Sequence, residues 1–388
     1  MTSAGARVPI GDVVDLFKVG EPLPFRVLDA LERLLLNAGQ LVHSAAQLAT
    51  LIERGAWVEP QAVLELRQRL ARGSSGATTA SGSTRELTHF DRWERSLWEL
   101  DAVLRQVLKG QPVAAALNQR VDALIALIDR DADIALFIAM RQEDRRFALY
   151  PLSHALHSAV IALLTARQAG WDVSRQRWLV GAALTMNVAM LELQAAMAEQ
   201  DTPPSARQLE QIRAHPDRSE TLLRATGVTD ETWLGTVRDH HEKPDGSGYP
   251  RALKSLSDDA RLLRMADVFM AKITPRAKRE PLPPQLASRQ LFQQEAGSAL
   301  AASLIKAIGI HPPGALVTLR SGEVAVVARR PKTGNAPTVC TLSDRKGHPS
   351  VNSHMRDTQQ PEFAIAGPLT DVTLFPRVLP ERVYGVVA

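Results

Sequence analysis

Two adjacent histidines and a glutamate, in DHHEKPDGSGYP at residues 239–250, are the side chains best suited to chemistry in this chain. Imidazole nitrogens and a carboxylate are metal ligands, and a metal centre draws further ligands from distant positions. His240 and His241 close the stretch WLGTVRDHHE, just before the breakers Pro244 and Gly246, which places them at a helix terminus. In the loop that follows, Gly246 and Gly248 permit backbone conformations that other residues avoid and let the main chain approach a ligand. From these residues alone, a functional site and a decorated turn are both open.

Cys340 is the single cysteine, so a disulfide framework and a thiolate metal cluster are excluded, and any metal must be held by nitrogen and oxygen. Of the ten histidines, His43, His89, His157, His311, His348 and His354 read as packed or solvated side chains. The formal charge of +4, from 46 basic and 42 acidic residues, is a weak hint of an anionic ligand and more simply an ordinary solvated surface. No DNA partner is expected. The apolar runs VIALLTA and WLVGAAL fall short of the ~20 residues of a membrane span. The N-terminus lacks a basic region followed by an apolar one, so a cytoplasmic protein without a membrane span is expected.

The elements that must position the histidines are mainly helical. At 388 residues with 45% hydrophobic content, the chain is long enough for two or three domains. Residues 72–84, RGSSGATTASGST, read as a flexible linker after a small N-terminal module, 1–71. In that module PFRVLDALERLLLNAGQLV reads as two strands joined by a turn, and SAAQLATLIERG as a helix with Gly55 just past its end. From 85 to 310 apolar spacings of three and four predict a helical bundle. Ser174 is the expected N-cap of one long helix through SRQRWLVGAALTMNVAMLELQAAMAEQ, and Ser205 with Gln208 an expected capping box. From 311 to 388, ALVTL, EVAVVARR and PTVCTL predict a small antiparallel sheet.

DHHEKPDGSGYP resembles the HHExxDGxGYP signature of the HD-GYP family, helical-bundle metal phosphodiesterases that hydrolyse cyclic di-GMP. The similarity extends over about 148–330, up to GIHPPGALVTLRSGEVAVV. YPLSHALHSAVI resembles the segment with the first histidine ligand, here His154. RAHPDRSETLL resembles the segment with a ligand histidine before proline, here His215. ARLLRMADVFMAKITPR resembles the segment with a metal-binding aspartate, here Asp267. The resemblance implies an HD-type bundle, with His154, His215, His240, His241 and Asp267 as metal ligands. Arg276 and Arg279 stand where the family places phosphate-contacting basic residues, and guanidinium groups suit that task through paired coplanar donors. A charged, solvated loop is the plainer reading of both arginines. Gly246, Gly248, Tyr249 and Pro250 keep the name-giving loop.

The name-giving His-Asp pair is missing. Where the family has a stretch such as LLHDIGK, this chain has LTMNVAM, with Met186 for the histidine, Asn187 for the aspartate and Met190 for a substrate-contacting lysine. In the family that aspartate bridges two metals, which together activate a water at neutral pH. A neutral amide and a soft thioether are poor replacements at a hard iron or manganese ion. Tyr150 stands where some members carry a glutamate for a third metal. The expected cofactor is therefore none or one divalent ion on His215, His240 and His241, and two of iron or manganese only if the centre is rebuilt. Three functions are expected in this order: a signalling protein that binds cyclic di-GMP or a protein partner with little or no hydrolysis, a working phosphodiesterase with an altered centre, and a scaffold that contacts a diguanylate cyclase through the GYP loop.

Overall fold

The computed structural model describes residues 7–72, 87–141, 146–277, 279–331, 334–369, 375 and 378–385. The chain opens with a four-stranded antiparallel sheet in the order β1-β4-β2-β3, built from β1 (Val8–Pro9), β2 (Val27–Leu28), β3 (Leu34–Leu36) and β4 (Trp57–Val58). β2 and β3 are the two strands expected in this stretch. Between β3 and β4 lies α1 (Ala45–Glu53), where Ser44 accepts the Gln47 amide as N-cap and Gly55 turns the chain at φ +64°. α2 (Pro60–Arg72) follows, and of the expected linker only Arg72 lies within the described residues.

Helices then dominate: α3 (His89–Leu108), α4 (Ala114–Arg130), α5 (Ala132–Met140), α6 (Tyr150–Gln168), α7 (Val173–Thr185), α8 (Leu191–Glu199), α9 (Ala206–Ala225), α10 (Glu231–Asp239), α11 (Asp258–Ile273), α12 (Pro284–Gln294) and α13 (Ala299–Ile308). α6 is apolar nearly all round, as a central helix must be, and packs against α7, α11 and α13. One buried apolar cluster runs from Ile10 in the N-terminal unit to Ile308 in α13. The fold is mainly α, as expected.

Two expectations are corrected. Asp172, not Ser174, caps α7, because its carboxylate accepts the Arg175 amide and leaves Ser174 in the first turn. The single long helix is two: the backbone leaves helical geometry at Asn187 and Met190, a 3-10 turn spans Val188–Met190, and the Ala189 amide bonds Ser219 Oγ of α9 instead. Helical stretches 147–168 and 173–199 are long and apolar enough to cross a bilayer by length and hydropathy, but they are 89% and 72% buried inside the protein. Their apolar character serves the core.

A five-stranded antiparallel sheet follows in the order β8-β7-β6-β5-β9, from β5 (Leu316–Leu319), β6 (Val324–Arg329), β7 (Thr338–Thr341), β8 (Met355–Asp357) and β9 (Ile365–Pro368). Cys340 is buried in β7 as a free thiol. Arg329 and Arg330 bind Asp131 and Asp133 at the start of α5, which ties the sheet to the bundle.

Candidate metal and ligand site

The site assembles from four helices that local sequence rules explain only in part. α9 carries Pro216 in its interior, and a proline lacks the amide that would bond the carbonyl four residues earlier. That carbonyl, of Ile212, bonds His215 Nδ1 at 2.6 Å. In the last turn of α10, where carbonyls run out of amide partners, the Val237 carbonyl bonds His240 Nδ1 at 2.6 Å. Both imidazoles therefore commit the Nδ1 proton to the backbone and present a bare Nε2. The height of α10 is set by Trp233, whose indole N–H donates to Thr185 of α7 at 2.9 Å. Its ring lies over Gly181, where any Cβ would come within 2.6 Å of it.

The two bare nitrogens, His215 Nε2 and His240 Nε2, face each other at 3.3 Å. Lone pairs so placed repel unless a proton or a cation lies between them. Ligand atoms of His215, His240 and His241 all fall within 4.8 Å of one another. Burial, then the neighbouring His240, pushes His215 down to about 3, and burial also lowers His240 and His241. Neutral imidazoles are the form that binds a metal, so this donor set fits a single divalent ion.

His154, on α6, is oriented differently. Its Nε2 lies 2.7 Å from Asp267 Oδ1 on α11, while His241 Nδ1 lies 4.0 Å from the other carboxylate oxygen. Burial alone would raise the Asp267 carboxyl, but the hydrogen bond and charge of His154, helped by His241 and His240, hold it well below the usual range. The two residues thus spend a ligand atom each on one another.

Met186 is fully buried in the apolar cluster. Asn187 is 7% exposed, and its side-chain oxygen has no hydrogen-bond partner among the described residues. Met190 is half-buried at the start of α8.

Glu242 does not join the histidines, although its place beside them suggested a ligand. It is fully buried, and its carboxylate accepts the amides of Arg251 at 2.6 Å and Leu253 at 2.9 Å. That clamp closes the glycine loop. Gly246 turns at φ +74°, and a Cβ on Gly248 would meet the Glu242 and Lys243 backbone at 2.4 Å, so glycine is required there. The closed loop stacks the Tyr249 ring on His241, centroids 4.7 Å apart, with Pro250 behind a cis bond.

Arg276 and Arg279 pair through their backbones across a tight turn whose Ala277 amide bonds the last turn of α8. The Arg276 guanidinium donates to Tyr150 Oη at 2.8 Å and lies 5.2 Å from that ring. Tyr150 in turn stacks on His154 at 5.5 Å. Arg279 is exposed. The sequence marks Tyr150 only as a lost ligand and Pro216 only as the proline after His215, and nothing in it points to the clamp of Glu242. The proline beside His215 was the one legible signal among them.

Residues 137–303 match the family described as HD domain. The chain is 24% identical over 231 residues to the cyclic di-GMP phosphodiesterase PA4108 of Pseudomonas aeruginosa, covering 58% of this chain and 55% of that protein. It is 29% identical over 136 residues to the 3'3'-cGAMP-specific phosphodiesterase 3 of Vibrio cholerae, covering 34% of this chain and 29% of that protein. The alignments thus span about half or less of these relatives. Among solved structures, Bd1817, a HDG"Y"P protein from Bdellovibrio bacteriovorus, aligns with a TM-score of 0.49 and 15% identity over 78% of this chain and 98% of that chain.

Proposed function

We propose, from the premise that residues 137–303 are an HD domain, that this chain is a cytoplasmic signalling protein that binds cyclic di-GMP with little or no hydrolysis. A single divalent ion would sit on His215, His240 and His241, which converge as neutral donors. Bound there, the ion would supply positive charge for an anionic oxygen. Arg276, steered by Tyr150, offers a second anionic contact. Tyr249 walls the site by stacking on His241.

The observation that carries the reading is the direct 2.7 Å bond between His154 and Asp267. With Met186 in the core and Asn187 neutral, no charged bridge is at hand to part them for a second ion. The runner-up is a working phosphodiesterase with an altered centre, favoured by the presence of all five expected ligands and by the activities named for the two relatives. The scaffold reading is weaker, because Tyr249 already spends a ring face on His241.

Elemental analysis of protein purified without chelators, beside a cyclic di-GMP hydrolysis assay with added manganese and iron, tests this. One ion at most, with nucleotide binding and no turnover, is expected. Met186→His with Asn187→Asp should then raise the content to two. Two ions with turnover in the unaltered protein would establish the runner-up.

A further inference from the structure

The carboxylate of Asp101, in α3, is fully buried and binds two arginines. Arg54, at the end of α1 in the N-terminal unit, reaches it at 3.0 Å, and Arg105, one turn further along α3, at 3.1 Å. Two supports run from this junction to Arg276.

The first reaches the Arg276 side chain. The second guanidinium nitrogen of Arg54 donates to the Ala148 carbonyl at 3.3 Å. Ala148 lies in the 3-10 turn Phe147–Leu149 that leads into α6, and α6 starts at Tyr150 without a side-chain cap. A helix start that lacks its own cap takes its position from tertiary contacts. Arg146, ahead of that turn, donates back to the Leu35 carbonyl of β3 at 3.1 Å. The N-terminal unit thus holds the approach to Tyr150 twice, and Tyr150 accepts Arg276 at 2.8 Å.

The second support reaches the backbone. Arg105 donates to Glu192 of α8 at 3.1 Å, and Arg33 of the N-terminal unit lies 4.0 Å from Glu199 at the other end of that helix. The carbonyl of Ala198, beside Glu199, accepts the Ala277 amide at 3.0 Å. Arg146, Tyr150, Thr274 and Pro275 border a cavity of about 30 Å³ next to this turn, space for a water molecule. Close-packed side chains resist displacement, and this joint is not close-packed.

We propose that the N-terminal unit is a control element for the anionic contact: its grip, with Arg54 as a positioning residue, sets Tyr150 and the Arg276 turn, and its release frees Arg276 while the histidine cluster stays built. His215 stands on α9, and His240 and His241 follow at the end of α10, which none of these bonds touches. The anionic ligand at Arg276 rests on the proposed function, whereas the mechanical coupling does not.

Hydrogen exchange of the full chain without nucleotide tests the coupling. Arg54→Met should speed exchange of the Ala277 amide and of the amides at 146–150 about tenfold, with α9 and α10 unchanged. Arg54→Lys keeps a charge beside Asp101, but a single ammonium cannot also hold the Ala148 carbonyl, so it should show the same pattern and serves if the methionine variant does not fold. Cobalt affinity at the histidines should not change. Under the proposed function, cyclic di-GMP should bind both variants about tenfold more weakly. Unchanged exchange at Ala277 in the folded variants would overturn the proposal, and so would a fall in cobalt affinity. Equal acceleration throughout α9 and α10 would also overturn it, since that marks a general loss of stability. If the unaltered protein binds no cyclic di-GMP, the proposed function fails, and the exchange result still decides the coupling.

Discussion

Pro216 and Ile212 stand one turn apart in α9, and the hydrogen bond the proline cannot make to the Ile212 carbonyl is made instead by His215 Nδ1 at 2.6 Å. A proline that weakens a helix thereby fixes which nitrogen of His215 faces His240. Pro216→Ala restores a competing amide. The variant should be at least as stable as the parent, since alanine suits a helix interior better, yet bind cobalt about tenfold less tightly. Thermal unfolding and a metal titration read the two effects separately. Unchanged metal affinity would mean that the ring is oriented by packing alone.

Glu242 should prove a structural clamp. Glu242→Ala leaves the part-buried Arg251 and Leu253 amides without their acceptor, at a cost on the order of 1–3 kcal/mol. Glu242→Gln keeps one acceptor oxygen and should lose less. Urea unfolding measures the cost, and proteolysis within 243–253 should accelerate in the alanine variant. A neutral result would show that the loop closes without the Glu242 carboxylate.

Acid should destabilise the metal-free protein. His215 is pushed down to about 3 by burial and by His240, and His157 to about 3 by burial and by His154, against an ordinary value of 6.5. Between these values the unfolded chain binds protons that the folded chain refuses, so stability falls as pH falls through 6.5 and goes on falling toward 3. Each proton contributes about 1.4 kcal/mol per pH unit. Denaturant unfolding of chelator-treated protein between about pH 7 and pH 5 should show the slope, and His157→Phe should flatten it by about one proton. A slope unchanged in that variant would deny His157 its part.

Tyr150 should matter for the nucleotide and not for the metal. Tyr150→Phe keeps the ring that stacks on His154 but removes the hydroxyl that holds Arg276. Under the proposed function, cyclic di-GMP should bind about tenfold more weakly, the cost of losing one charge-assisted positioning contact, while metal content stays the same. Calorimetry with nucleotide and elemental analysis on the same sample separate the two. Equal nucleotide affinity would show that Arg276 needs no steering.

The features legible in sequence are those that residues a few positions apart control. Ser205 and Gln208 form the expected capping box, Ser44 and Gly55 bound α1, and the glycine loop turns where Gly246 and Gly248 demand. The expectation of Ser174 as cap fell two positions past Asp172, whose carboxylate accepts the Arg175 amide. The break at Asn187 was hidden within continuous apolar spacing. Beside it the Ala189 amide donates to the hydroxyl oxygen of Ser219, thirty residues further along the chain.

By itself the sequence determined the types of the candidate ligands, the helical character and the turn at the glycines, since each follows from side-chain chemistry and short-range backbone sterics. Tertiary structure alone decided that His215 and His240 face each other with bare nitrogens, that His154 bonds Asp267 across 113 positions, and that Glu242 turns away to hold the loop. Those relations depend on how α6, α9, α10 and α11 pack. Such packing is set by burial over the whole core, where Trp233 against Gly181 fixes what no stretch of a dozen residues can specify.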